Sequence, residues 1–256
     1  MEATTHIIDN FDSLQDQLQN QTSHQKASIL HSIADKIIAN KQALAELIVE
    51  EAHKPIKYAL VEVGRSAETF KIAAEEAKRL PKEYLSLDWT PGKPREGYVK
   101  HFPIGPVLGI TPFNFPLNLV AHKVAPAIAA GCCILIKPSP KTPRIARRLI
   151  ELVKESGIVE GSVDLIEVAN SEVLGLVKDE RFKMVSFTGS PEIGWLIKSQ
   201  AGKKRVALEL GGNAGAIVTP TSNIEKAARR CVAGGYAYSG QVCIHTQRIY
   251  VHESKF

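Results

Sequence analysis

Residues 107–137, VLGITPFNFPLNLVAHKVAPAIAAGCCILIK, contain the pattern that decides the fold. Two short apolar runs, Val107 to Thr111 and Cys133 to Ile136, flank a segment that is long enough for a helix. Pro116 is placed to begin that helix and Gly131 to end it. A strand, a helix and a second strand in this order predict a parallel βαβ unit.

The same alternation continues toward the C-terminus. Further strands are predicted at Val163 to Ile166, Met184 to Phe187 and Val206 to Leu208, and Pro143 and Gly157 bracket a helix just before the first of them. We therefore predict an α/β fold, a Rossmann-like parallel sheet with helices on both faces.

Before residue 107 the pattern is different. From Ser23 to Leu80 the apolar residues recur at helical spacing, which predicts a helical N-terminal lead. Residues 82–103 contain Pro91, Gly92 and Pro94 between two runs with aromatic and β-branched residues, which predicts a projecting β-hairpin arm. Such an arm favours contact with another subunit, and we expect a homo-oligomer in the complete protein.

Composition excludes several classes of partner. The chain has 256 residues, 44% of them hydrophobic, and its net charge of +5 is spread along the sequence, which argues against nucleic acid. We expect no membrane segment, because no uncharged apolar stretch reaches about 18 residues. The four cysteines lack the spacing of a zinc site, so we expect no metal and a reducing, cytoplasmic location.

Candidate binding residues follow two of the strands. Thr188, Gly189, Ser190 and then Gly194 precede or begin a predicted helix whose free amides suit a pyrophosphate, although the usual Gly-x-Gly-x-x-Gly turn is absent. Taken alone, these residues are better explained by an ordinary capped helix. Lys137 is placed at the carboxyl edge of the sheet, where ligands bind, but a solvated surface lysine is the alternative.

Three further residues have side chains suited to catalysis. Asn114 lies in a stiff turn between two prolines, where an Asx turn capping the next helix is the alternative. Glu209 follows an apolar strand, and burial there would raise its pKa toward that of a useful base. Cys243 follows a glycine, and a buried structural cysteine is the alternative.

Taken together, these motifs are far more specific than any one of them. They are, in order, Thr-Pro-Phe-Asn-Phe-Pro at 111–116, Lys-Pro at 137–138, Phe-Thr-Gly-Ser at 187–190, Leu-Glu-Leu-Gly-Gly-Asn at 208–213 and Gly-Gln-Val-Cys at 240–243. With this order and these separations the chain resembles the aldehyde dehydrogenase superfamily, over about the first half of a typical member. The resemblance implies a cofactor-binding domain at 1–210, interrupted by the oligomerisation arm at 82–103, and the beginning of a catalytic domain at 211–256.

The resemblance also implies NAD(P)-dependent oxidation of an aldehyde to a carboxylic acid. The cysteine matching Cys243 attacks the aldehyde to give a thiohemiacetal, and the side-chain amide matching Asn114 stabilises its oxyanion. After hydride transfer to the cofactor a thioester remains, and the glutamate matching Glu209 activates the water that hydrolyses it. The lysine matching Lys123 has a supporting role in the proton path.

The cofactor contacts are carried over in the same way. They correspond to Thr111, Pro112, Phe113, Lys137, Ser139, Pro140, Phe187, Thr188, Gly189, Ser190, Ile193, Gly194, Leu210 and Gly211. Members that favour NAD often have a glutamate at the position of Pro140, whose carboxylate repels the 2′-phosphate of NADP. Because that carboxylate is missing, we expect NADP to serve at least as well as NAD.

The substrate and the alternatives depend on fewer residues. Leu119 and His122 correspond to positions that line the substrate tunnel, and His122 replaces a common aromatic side chain, which favours a short polar aldehyde. One alternative is a nucleotide-binding fragment without turnover. The other is a thiol-based structural or redox protein using Cys132 and Cys133, which is disfavoured because adjacent residues of a strand point to opposite faces.

Overall fold

A five-stranded parallel sheet forms the centre of the structure, a computed structural model that describes residues 8–80 and 82–256. In chain order the strands are β1 (Glu83–Ser86), β2 (Glu96–Val99), β3 (Val107–Ile110), β4 (Ile134–Lys137), β5 (Val163–Leu165), β6 (Met184–Gly189), β7 (Arg205–Leu210), β8 (Ala214–Val218) and β9 (Thr246–Val251). The central sheet has the order β5-β4-β3-β6-β7, and every pairing in it is parallel.

Helices cover both faces of this sheet. In chain order the helices are α1 (Phe11–Gln19), α2 (Ser23–Ala39), α3 (Lys41–Ala52), α4 (Ile56–Lys78), α5 (Asn118–Ala130), α6 (Pro143–Lys154), α7 (Val173–Lys178), α8 (Pro191–Gln200) and α9 (Ile224–Tyr236), the last of which packs with β8 and β9. One hydrophobic cluster joins α2 to α6 with Val107, Ile134 and Ile136, and a second joins α1, α7 and α8 with Leu108 and Leu135. The predicted Rossmann-like fold is confirmed.

Alternation along the strands explains the two clusters. Successive side chains of a strand point to opposite faces, so Ile134 and Leu135 enter different clusters. Cys132 and Cys133 likewise lie in different clusters, as expected from the sequence. This placement separates the two sulfur atoms and gives no support to a paired redox role.

The order of the strands reverses at one place. Numbered along the chain, the sheet runs third, second, first, fourth and fifth strand, and the reversal lies between β3 and β6. In open α/β sheets, ligands bind in the crevice beyond the carboxyl ends of the strands at such a reversal. The loops after β3 and β6 are therefore the parts of the fold that position a site.

Two smaller sheets lie outside the central one. β1 and β2 form an antiparallel hairpin in which Glu83 pairs with Val99, and Trp89 and Tyr98 on this arm are about three-quarters exposed. The hairpin itself is as predicted, whereas its contact with another subunit stays a prediction. β8 and β9 pair in parallel on either side of α9, in a sheet separate from the central one.

The predicted helix boundaries hold with two corrections, one of which is that α6 ends before Gly157. Gly131 ends α5 in the left-handed conformation, with φ of 75°, and Pro143 is the first residue of α6. Pro116, however, does not begin α5, which starts at Asn118 after a short turn. Within the described part of the chain, every helix is too short or too polar to cross a lipid bilayer.

Candidate active site

A cavity of about 260 Å³ lies at the carboxyl ends of β3, β4 and β6, at the reversal of the strand order. Its walls include residues for which the sequence predicts contact with a cofactor: Thr111, Pro112, Lys137, Ser139, Pro140, Phe187, Thr188, Gly189, Ser190 and Ile193. The fold thus brings together segments that are up to about 80 residues apart in the chain. Sequence spacing alone gives no such proximity.

The other predicted cofactor residues lie beside the cavity rather than in its walls. A Cβ on Gly194 would lie 2.4 Å from Leu210 Cδ2, so this glycine lets α8 pack closely against β7. Gly211 lies near the first residue of α8, and the ring of Phe113 faces the Nζ of Lys141 at 4.8 Å from its centroid.

Asn170 is a wall residue that the sequence analysis missed. Its Oδ1 accepts a hydrogen bond of 2.6 Å from the Nζ of Lys137. Asn170 lies in a short 3₁₀ turn before α7, where no motif distinguishes it from any other surface asparagine. Ile110, Val173 and Ile197 also line the cavity and were not predicted.

Lys137 is not a solvated surface lysine. Only 3% of the residue is exposed, and burial lowers the pKa of its ammonium group. At the other wall, Ser190 is the N-cap of α8, and its hydroxyl accepts a hydrogen bond from the backbone N–H of Ile193. The capped helix and the cavity wall are therefore the same structural feature, and the two interpretations of Ser190 do not compete.

Asn114 connects the loop after β3 with the segment that contains Cys243. Its Nδ2 donates to the backbone carbonyl of Gln241 at 2.9 Å, across 127 positions of sequence. The first amides of α5, those of Leu117 and Asn118, donate instead to the carboxylate of Glu62. Asn114 is thus not the cap of the next helix, and its side chain is directed at the cysteine segment.

Cys243 lies in an accessible position near the end of β7. The residue is exposed, so the alternative of a buried structural cysteine is wrong. Its backbone carbonyl lies 3.4 Å from the position of a Cβ on Gly212, three residues after Glu209. The thiol segment, Asn114 and the end of β7 therefore meet at one edge of the molecule.

Glu209, for which the sequence predicts burial, lies at the surface, whereas Lys123 is buried. Glu209 is exposed, so the burial expected from its apolar neighbours is not found. Lys123 is the buried group: its Nζ donates to Ser186 Oγ and to Thr188 Oγ1, both at 3.0 Å. Burial lowers the pKa of Lys123 to about 8, against the attraction of Glu209.

His122 lines a second cavity, of about 380 Å³, between α4 and α5. Its Nε2 lies 3.4 Å from the hydroxyl of Thr69, and burial lowers the pKa of the imidazole, as do the charges of Arg65 and Lys123. Leu119, predicted for the same tunnel, is half-buried on α5 and is not among the wall residues of this cavity.

The strand order, the cavity at its reversal and the accessible thiol define a Rossmann-like α/β protein with an exposed cysteine near the end of β7. A sequence profile of the aldehyde dehydrogenase family matches residues 2–256. The chain belongs to the aldehyde dehydrogenase family, as its motifs predict.

Relatives and solved structures show the same likeness. The 3-sulfolactaldehyde dehydrogenase of Priestia megaterium is 40% identical over 94% of this chain and 51% of its own length. Aldehyde dehydrogenase 21 from Physcomitrella patens, in complex with the reaction product succinate, superimposes with a TM-score of 0.93 at 40% identity, covering 96% of this chain and 52% of its own. Glyceraldehyde-3-phosphate dehydrogenase GapN from Methanocaldococcus jannaschii, complexed with NADP, gives a TM-score of 0.92 at 38% identity over 99% of this chain and 56% of its own. The chain thus spans about half the length of the relatives it matches.

Proposed function

We propose that the complete protein oxidises a short polar aldehyde to a carboxylic acid, with Cys243 as nucleophile and a nicotinamide dinucleotide as oxidant. The observation that carries this proposal is the hydrogen bond from Asn114 Nδ2 to the carbonyl of Gln241. It places an amide donor beside a segment whose exposed thiol lies two residues further on.

The first chemical step is attack of the Cys243 thiolate on the aldehyde carbon. The carbonyl double bond opens, and the negative charge moves to the aldehyde oxygen. An asparagine amide has two N–H groups, so the bond to Gln241 fixes the amide plane and leaves the second N–H for that oxygen. The backbone N–H of Cys243 is the second donor of the proposed oxyanion hole.

The last step is hydrolysis of the thioester on Cys243. Glu209 is exposed at the end of β7 and is accessible to water, from which it accepts a proton as the water attacks the thioester carbon. Lys123 is buried nearby, and its lowered pKa of about 8 lets the neutral amine exist near physiological pH. We assign Lys123 to proton movement at this edge of the sheet.

The cavity at the strand reversal fits an anionic dinucleotide. It presents one buried ammonium group, that of Lys137, the hydroxyls of Ser139 and Thr188, and the amino-terminal end of the ten-residue helix α8. A nicotinamide dinucleotide held by these residues would supply the hydride acceptor for the oxidation. Pro140 adds no negative charge to the wall, which supports NADP at least as well as NAD.

The substrate class is supported by the names of the relatives. Sulfolactaldehyde, glyceraldehyde 3-phosphate and the product succinate each carry an anionic group. In this chain, Arg65 on α4 is exposed, and its charge acts on His122 beside the second cavity. A short aldehyde with an anionic or strongly polar end is therefore the substrate that we propose.

Two further properties belong to the same proposal. Cys231 and Cys243 are accessible thiols, which supports a reducing, cytoplasmic location. The exposed aromatic side chains of the hairpin arm support association between copies of the chain.

Substitution of the nucleophile tests the function. In the complete protein, Cys243→Ser should abolish aldehyde oxidation while the dissociation constant for NADP changes less than about twofold, because the cysteine lies outside the cofactor cavity. Cys231→Ser, on α9, is the matched control and should retain turnover. Iodoacetamide inactivation that labels Cys231 and spares Cys243 would contradict the assignment.

A further inference from the structure

A buried ion pair lies directly beneath the Asn114 loop. The side chains of Lys54 and Glu62 are both fully buried, and Lys54 Nζ lies 2.5 Å from Glu62 Oε2. Burying two charges costs several kcal/mol each, and apolar residues of similar size often stabilise a core as well or better. A stabilising effect is thus a weak explanation for this buried ion pair, and its contacts indicate a different role.

The pair holds both ends of one short turn. At one end, Lys54 Nζ donates to the backbone carbonyl of Asn114 at 2.5 Å. At the other end, Glu62 Oε1 accepts from the backbone N–H groups of Leu117 and Asn118, at 3.0 and 3.1 Å. Residues 114–118 are therefore fixed by a lysine and a glutamate that precede them by more than 50 positions.

The same ammonium group also contacts the segment before Cys243. Lys54 Nζ lies 3.8 Å from the ring centroid of Phe115 and 4.4 Å from that of Tyr238. The hydroxyl of Tyr238 donates to the carbonyl of Ala52, at the end of α3. Tyr238 and Ser239 have positive φ angles of 48° and 53°, a conformation that costs free energy and needs support from its surroundings.

We propose that Lys54 and Glu62 are positioning residues that set the placement of the Asn114 amide relative to Cys243. This inference rests on the proposed role of Asn114 as an oxyanion donor. Lys54 contacts both the Asn114 loop and Tyr238, five residues before Cys243, so one cation fixes the separation of the two segments. Glu62 holds Lys54 in place and fixes the start of α5.

The test is a double-mutant cycle in the complete enzyme. Lys54→Met/Glu62→Gln removes both charges at nearly constant volume, which avoids leaving one charge buried alone. We expect kcat to fall at least about tenfold, and the KM for the cofactor to change less than about twofold, because a displaced donor weakens oxyanion stabilisation only. In an Asn114→Ala background, the same double substitution should lower kcat less than about twofold. Lys57→Met, on the exposed side of α4, is the control and should leave kcat unchanged.

Two results would overturn the inference: an unchanged kcat in Lys54→Met/Glu62→Gln, or a loss that persists in full in the Asn114→Ala background. Crystal structures of the complete wild-type and doubly substituted proteins give a readout that needs no turnover. Displacement of Asn114 Nδ2 from the Gln241 carbonyl supports the positioning role, and an unmoved amide contradicts it. If Asn114→Ala leaves kcat unchanged, the oxyanion role itself fails, and these crystal structures alone decide whether the pair positions the loop.

Discussion

Glu209 is exposed at the end of β7, and this exposure fits a residue that acts on water. In the complete enzyme, Glu209→Gln should slow steady-state turnover about a hundredfold, while formation of the acyl-enzyme slows much less. Stopped-flow mixing should then show a burst of reduced cofactor. Glu180→Gln, an exposed glutamate far from the thiol, is the control. Equal slowing of both phases would instead assign Glu209 to activation of Cys243.

Lys123 makes a prediction about stability against pH. Its pKa is lowered by burial from 10.5 to about 8, so between these values the unfolded chain binds more protons than the folded one. The free energy of unfolding should therefore rise from pH 8 to pH 10, and the full interval corresponds to about 3 kcal/mol. This contribution is lost as pH falls through 8.

Chemical denaturation of wild type and of Lys123→Met at several pH values isolates the effect of that one residue. The difference in free energy of unfolding, wild type minus variant, should increase with pH over this window. A difference that is independent of pH would show that Lys123 keeps an ordinary pKa in the folded protein.

The turn after β4 determines the charge that faces the cavity at the reversal of the strand order. Pro140 lines the cavity beside Lys137 and Ser139, whereas Lys141 is directed toward the ring of Phe113. Pro140→Glu should shift the ratio of kcat/KM for NAD and NADP toward NAD by about tenfold or more, equal to about 1.4 kcal/mol, because a carboxylate repels the 2′-phosphate. Pro140→Gln has the same size without the charge and should shift the ratio far less. Equal effects of the two substitutions would exclude a charge mechanism.

The elements and most of the cavity walls were predictable from the sequence, because each depends on local pattern. Alternating apolar runs predict the strands, and Gly131 and Pro143 mark helix ends through their own backbone preferences. Asn170 and Glu62 were not predictable in the same way. Their roles come from contacts with Lys137 and with the start of α5, and such long-range contacts leave no periodic signal.

The burial of individual side chains was the least predictable property of the site. Glu209 follows a strand with apolar neighbours, yet it is exposed because β7 is at the edge of the central sheet. Lys123, which ordinary composition rules place at the surface, is buried because Gly109 on β3 leaves room for its side chain. Burial depends on which neighbours the topology supplies, and not on the residue's own segment.

The unit β8–α9–β9 covers little of its own apolar surface. Ile217, Tyr236 and Ile244 are each more than three-quarters exposed, and so large an apolar surface favours association. The cavity at the reversal of the strands, by contrast, is formed entirely by residues 110–197. The proposed binding of a cofactor therefore depends on residues 110–197, whereas the proposed turnover also needs Cys243.

A polypeptide of residues 1–256 alone should consequently bind NADP, because residues 110–197 form the cavity walls, but should not oxidise aldehydes, because Cys243 is open to water. We expect NADP to raise its melting temperature, size-exclusion chromatography to show self-association, and aldehyde to produce no reduced cofactor. The complete protein at equal molar concentration is the positive control, and a second polypeptide supplying the rest of the family's length should restore turnover in trans. A soluble monomer of residues 1–256 that reduces NADP with aldehyde would show that this half of the family's length forms a working site by itself.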